Sequence, residues 1–318
     1  SAVRSHLSSR WRAASRIHAT NFSMGSHELT VNESLLLLSS QITLTTPGTI
    51  DFLGTLNTNY QVALSNNSFS NLALKFTGDN SLWSVTGDFS LDKITLVQGK
   101  VELTGGKSKI NTISTSGALA KGLSLLNAEL SGLQSLNVDL TNATLDAKNS
   151  SIKVVTANPV YALNFGSNDY DGLINIASGE VSVAGSGSIA KVDGKGIFRV
   201  IGNHFFKNFS LEGGSQLIFQ AGSTQTFTDT LTLKAQNGNR IAFKSDAAST
   251  AFFTFDKYYK ICLDFLDIQN IDVAGQSVVN SGTNSTLANS ANWLTENCTS
   301  ITFPDFTFRN NCIQSSTV

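Results

Sequence analysis

From Asn21 to about Val279 the chain is one unbroken succession of short alternating strands separated by Gly, Ser, Asn and Asp turns. Runs such as His27-Glu28-Leu29-Thr30-Val31, Lys93-Ile94-Thr95-Leu96-Val97, Glu180-Val181-Ser182-Val183, Gln216-Leu217-Ile218-Phe219 and Arg240-Ile241-Ala242-Phe243 set apolar side chains on one face and polar ones between them. That is the pattern of a half-buried strand. Strand starts recur every ten residues or so, and no helical block interrupts them. Two architectures suit such a chain: a sandwich of antiparallel strands, or a parallel coil of strands. A β-pattern of some 260 residues outgrows an ordinary sandwich, whereas a solenoid lengthens by adding turns. Local self-similarity points the same way. Leu126-Asn127-Ala128-Glu129-Leu130 is echoed by Leu136-Asn137-Val138-Asp139-Leu140 and more loosely by Ala143-Thr144-Leu145-Asp146-Ala147.

Composition supports the coil. Only 14% of the residues are charged, 41% are hydrophobic, and Ser, Thr, Asn and Gly fill the polar positions. Good helix formers are scarce, and the small polar residues suit tight stacked corners. The expected fold is therefore all-β, a parallel β-solenoid (β-helix) over residues 21–298. At about 20 residues per coil it would hold roughly 13 coils. Phe198, Phe219, Phe243 and Phe255 would stack along its inner column.

Residues 1–20 differ. Arg4, Arg10, Arg12 and Arg16 stand without an acid, and Val3, Leu7, Trp11, Ala14 and Ile17 fall at helical spacing. We read this stretch as a short helical or irregular cap over the end of the sheets, where an open edge would invite pairing. A membrane or polyanion contact is the other reading. The chain begins at Ser1 without an initiator Met or a charged-then-apolar leader, so a processed product or excised fragment is expected. No run of 18 apolar residues is present to cross a bilayer as a helix.

Lys and Arg number 22 against 23 Asp and Glu, a net charge of −1. That balance excludes a protein that holds nucleic acid by bulk charge. Cys262, Cys298 and Cys312 form no CxxC pair and have no His at ligand spacing, so zinc is not expected. A disulfide between Cys262 and Cys298 closing the main domain is expected, with Cys312 pairing elsewhere and an extracytoplasmic location.

For catalysis, β-solenoid polysaccharide lyases and hydrolases need clustered carboxylates, or a base beside acids, on one face. Asp256, Asp264, Asp267 and Asp272 are the densest acids, yet Asp264 and Asp267 fall on opposite sides of a regular strand. Solvated strand and turn acids are the simpler reading, so no catalytic residue is assigned. Asn168-Asp169-Tyr170-Asp171-Gly172 has the oxygen-rich look of a calcium loop, with Asn168, Asp169 and Asp171 as its candidate ligands. The EF-hand offsets are missing, and the same residues are ordinary turn formers. His204, ahead of Phe205-Phe206, reads as a turn or rim histidine. No cofactor is expected. Eight Asn-x-Ser/Thr sequons (at Asn21, Asn32, Asn66, Asn142, Asn149, Asn208, Asn284 and Asn297) carry little weight in a chain so rich in Asn, Ser and Thr.

The segment Ile261-Cys262-Leu263-Asp264-Phe265-Leu266-Asp267-Ile268, the Gly275–Gly282 loop and Asn289-Ser290-Ala291-Asn292-Trp293-Leu294 resemble the closing end of β-helical regions in large secreted surface proteins of Bacteroidota. After it, Phe303-Pro304-Asp305-Phe306-Thr307-Phe308-Arg309-Asn310-Asn311-Cys312 is similar to the opening strands of a PKD-type immunoglobulin-like module, here residues 299–318. The resemblance implies export by a type 9 secretion system and display on the cell surface, as in adhesins of the gliding-motility kind. The partners it implies are the cell's own export machinery and a polysaccharide or abiotic surface. A non-enzymatic adhesin or structural rod is the leading functional expectation. A carbohydrate-active β-helix enzyme, and a purely mechanical spacer, are its rivals.

Overall fold

The computed structural model describes residues 15–17, 28–32, 34–37, 48–54, 58–64, 68–155, 160–257 and 260–298. Among them every strand ladder is parallel, and the lone antiparallel contact is a bridge between Gln236 and Asn239 inside a turn. The protein is a β-solenoid of about 11 turns. At about 4.8 Å per stacked strand this is a rod roughly 50 Å long.

Three strand columns run along the rod. The first stacks Phe89 on Ser108, then Leu130, Ile152, Ile174, Val192, Phe209 and Leu231. The second runs the full length, from Leu29 on Ile50 to Ile268 on Leu287. In the third, Tyr60 stacks on Trp83, Val101, Leu123 and Leu145, and further on Tyr170 stacks on Ile189, Phe206, Phe227 and Phe255. Alternation along each strand sends these residues inward, so the three columns share one apolar interior.

The turns differ in length. Val183 to Val200 advances 17 residues, while Leu217 to Phe243 advances 26. Turns longer than 20 residues leave about 11 where a uniform coil would give 13. The ten-residue self-similarity is not the turn repeat either. Glu129–Ser131, Asn137–Asp139 and Thr144–Asp146 occupy the three columns of a single turn.

Corners are built from residues that tolerate positive φ. Gly166, Gly185 and Gly202 lie one above the other, at φ of 64°, 122° and 89°. A Cβ on Gly185 would collide with the Gly166 carbonyl, so only glycine lets these corners stack so closely. Elsewhere asparagine takes the left-handed position, as at Asn127 and Asn149 or Asn270 and Asn289.

The interior is filled in two ways. Phe52 stacks on Phe76 at 4.9 Å, beside Trp83 and Tyr60. Toward the C-terminus a continuous ring network forms, but not as a simple pile of four phenylalanines. Phe198 meets Phe206 and Phe209, Phe227 bridges these to Phe253 and Phe255, and Phe243 joins Phe219 to Phe253. Trp293 closes the end of the column against Phe253 and Phe243, and its indole N–H donates to the Ile271 carbonyl at 2.9 Å.

Ser15–Ile17 is a strand paired in parallel with Leu35–Leu37, so the helical stripe expected over residues 1–20 does not run through these three positions. The rest of that segment, and residues 299–318 with Cys312, lie outside the described residues.

Candidate functional site

With the interior given to packing, chemistry on this rod must come from outward side chains. Those in the second column form two files. One reads Asn137, Ala162, Ser182, Arg199, Ile218, Lys244 and Gln269 from turn to turn. The neighbouring file reads Asp139, Asn164, Ala184 and Ile201. Small residues at 162, 182 and 184 leave a trough of about 300 Å³. Further along, Arg199, Ile218, Lys244, Asp246, Gln269 and Asn289 line a more polar depression of about 450 Å³. A third hollow, of about 480 Å³, lies on the first column between Lys191, Asp193, Asn208, Ser210, Thr230 and Thr232.

Several outward polar groups bridge neighbouring turns. Asp51 accepts from Lys75 Nζ at 2.7 Å and from Thr77 Oγ1 at 2.7 Å, and Glu28 accepts from the same ammonium at 3.3 Å. These carboxylates, Asp51 foremost, hold the Lys75 pKa above its ordinary value. Arg199 Nε donates to Glu180 at 3.2 Å, and Asn164 Nδ2 reaches Thr141 and Asp139 one turn back.

The acids singled out in the sequence are employed in this way. Asp264 accepts from the amides of Phe265 and Asn284 at 2.8 and 3.0 Å and from Asn284 Nδ2 at 2.8 Å. Its partners are amides, and it holds a turn in which Phe265 sits at φ 59°. Asp267 accepts from Arg240 Nε at 2.7 Å and Thr286 Oγ1 at 2.9 Å, and Asp272 takes the Ala291 amide at 2.6 Å. Asp256 lies at the turn that follows the Ala251–Phe255 strand. The structure does not converge these carboxylates on one another.

The oxygen-rich loop is likewise spoken for. Asn168 Oδ1 accepts the Leu145 amide at 3.2 Å while its Nδ2 donates to the Ala143 carbonyl at 2.8 Å. One amide side chain thus supplies the edge of Thr144–Asp146 with the bonds a further strand would give. Asp169 accepts the Ser188 amide at 2.7 Å, which pulls its pKa below the usual carboxylate value. Asp171 pairs with Lys207 at 3.6 Å. Tyr170, between them, is buried, and burial pushes its phenol pKa upward. The loop is a corner brace, and no group of three or more His, Cys, Asp or Glu among the described residues could hold a metal ion.

His204 is buried, not at a rim. Its Nδ1 lies 3.1 Å from the Gly187 carbonyl and its Nε2 3.2 Å from that of Ile201. Burial lowers its pKa below 6.5. Gln225, also buried, accepts from the His204 amide and donates to the Gly202 carbonyl and to Ser223 Oγ. Cys262 and Cys298 are joined by a disulfide with a Cα–Cα distance of 5.8 Å.

The grooved second column was missed at the sequence level. Its signal was the small outward residues Ala162, Ser182 and Ala184 at matching strand positions, visible only once the register is known. No helix among the described residues is long and apolar enough to cross a membrane. Comparison with protein-family models, with curated proteins and with solved structures finds no match.

Proposed function

We propose that this chain is a stiff, non-enzymatic rod of a secreted surface protein, serving adhesion and taking up polysaccharide along its outer faces. The observation that carries the reading is the use made of the outward acids. Asp264, Asp267 and Asp272 accept from amides, a hydroxyl and one partly buried guanidinium of the adjoining turns, so each is tied into the stack. A catalytic pair needs two such groups facing one substrate, and these three are each committed to a separate contact between turns. Export by a type 9 secretion route and a link to gliding motility rest on the kinship of the closing segment, Ile261–Ile268 through Trp293, with such surface proteins.

The test is direct. The purified chain is incubated with a panel of acidic and neutral polysaccharides while both soluble product and retained protein are followed. Retention on one or more of them without release of reducing or unsaturated ends is the expected result. Product release that disappears in Asp264→Asn, with folding kept, would instead establish the carbohydrate-active enzyme.

A further inference from the structure

The depression on the second column is built around one covered isoleucine between two basic side chains. Arg199, Ile218 and Lys244 are direct partners in three successive turns, all pointing outward. Ile218 is nonetheless only 4% exposed and stands apart from the interior core. An outward isoleucine becomes that buried only when its neighbours lie over it, and here the stems of Arg199 and Lys244 flank it. The result is a covered isoleucine between two basic side chains whose backbones stand about 10 Å apart, two strand spacings along the rod.

Charge in this hollow is unevenly matched. Glu180 engages Arg199 through Nε, and Asp246 is turned to the Ala221 amide at 2.8 Å. The Lys244 ammonium has no hydrogen-bond or ion-pair partner among the described residues, and the residue is half-buried. Amide groups of Gln269 and Asn289 complete the lining at the far end. A partly desolvated cation beside a second basic side chain, with aliphatic stems and amides at hand, matches a ring carrying a carboxylate. The smaller trough lies further along the same column, toward Asp139 and Asn164, so an extended chain could lie along the axis over several turns.

We infer that this groove binds a carboxylated polysaccharide, a polyuronate, with the Lys244 and Arg199 head groups contacting its carboxylates and their stems, packed over Ile218, facing its ring. The inference rests on the adhesin reading above and names its ligand class and site.

The experiment measures retardation of the intact chain in gels containing polygalacturonate, its methyl ester (the same backbone without charge) or inorganic polyphosphate. Retardation by polygalacturonate is expected, with the ester much weaker. Lys244→Met keeps the stem over Ile218 and removes the charge. With Arg199→Gln it should weaken polygalacturonate binding roughly tenfold, about what two partly exposed ion pairs supply. Lys244→Arg should retain binding, and Lys191→Met, on another column, should leave it unchanged. Circular dichroism checks that each variant is folded. Equal retardation by polyphosphate, or unchanged binding in the double variant, overturns the inference. If the ester binds as well as the acid and Lys244→Met has no effect, the site falls and the adhesin reading stands. If no polysaccharide retards the chain, both fall.

Discussion

The turns between Phe89 and Tyr161 contain no Phe, Tyr or Trp, whereas those from Phe198 to Trp293 are filled with rings. Both stretches obey the same three-column geometry, so the winding does not depend on what fills it. The fillings do different work. In the aliphatic stretch Ile113, Leu130, Val138 and Ile152 touch the next turn through short branched stems. Order there leans on outer braces, such as Asn111 Nδ2 donating to Asp92 at 3.1 Å and the Asn168 side chain on Thr144–Asp146. In the aromatic stretch each ring reaches its neighbours across turns, with centroids 5.1–6.2 Å apart around Phe243, Phe253 and Trp293. Because a solenoid is stabilised turn by turn and interface by interface, the aromatic end should be the last part to open.

The largest expected effect tests that ordering. Phe227 is fully buried and contacts Phe206, Phe209, Phe253 and Phe255. Phe227→Ala should cost about 4 kcal/mol in urea unfolding. It should also move the last turns to unfold at or below the denaturant needed for the aliphatic stretch. A loss under about 2 kcal/mol would mean that the rings repack and that their contacts are interchangeable. Next in size is the disulfide. It closes a separation of 36 residues around the final turns, so Cys262→Ser should cost about 3 kcal/mol, confined to residues 260–298. Unfolding followed by Trp293 fluorescence, in a chain with Trp11 and Trp83 replaced by Phe, would then precede unfolding followed by circular dichroism. Coincident curves would show instead that the aromatic column, not the disulfide, fixes that end.

How far the sequence foretold this can be argued from the same two stretches. The period of two in Glu180-Val181-Ser182-Val183 and the length of the β-pattern favoured a parallel coil over a sandwich, since a stack lengthens simply by adding short strands. Register was not legible, because corner loops vary between turns. Leu126–Leu130 and Leu136–Leu140 look like successive turns yet sit on different columns of one turn. Site residues suffered from the same gap. Asp264 and Asp171 look like free carboxylates in the chain, but their partners Asn284 and Lys207 stand 20 and 36 residues away. Only the stack reveals that these acids are braces, and that Arg199, Ile218 and Lys244 are neighbours.

A smaller perturbation probes the aliphatic stretch from the other side. Ile152 is fully buried, and Ile152→Val removes one methylene at the Leu130–Ile174 stack. About 1 kcal/mol should be lost. Native-state hydrogen exchange should place that loss in residues 129–154, where opening already precedes that of residues 216–255. If exchange in the unsubstituted chain is slower in 129–154 than in 216–255, the proposed hierarchy is reversed.

The mildest perturbation removes no atoms. His204 lies in the aromatic end, 6.1 Å from the Phe206 ring, and burial sets its folded pKa below the unfolded value of 6.5. Well above that value the imidazole is neutral in both states, so stability does not depend on it. As the pH falls through 6.5 the unfolded chain takes up a proton that the buried ring refuses, and the folded state loses stability. The loss grows until the folded ring protonates at its own lower pKa, below which it stays constant. Carboxylates contribute their own acid dependence, so the readout is a difference. The drop in urea midpoint between about pH 7.5 and 5.5 should be larger for the unsubstituted chain than for His204→Gln. Tracked by exchange, the excess should fall on the turns around residues 187–227 and bring the opening of the aromatic end closer to that of the aliphatic middle. An identical drop in both chains would mean that the two carbonyls facing His204 stabilise its cation enough to cancel the cost of burial.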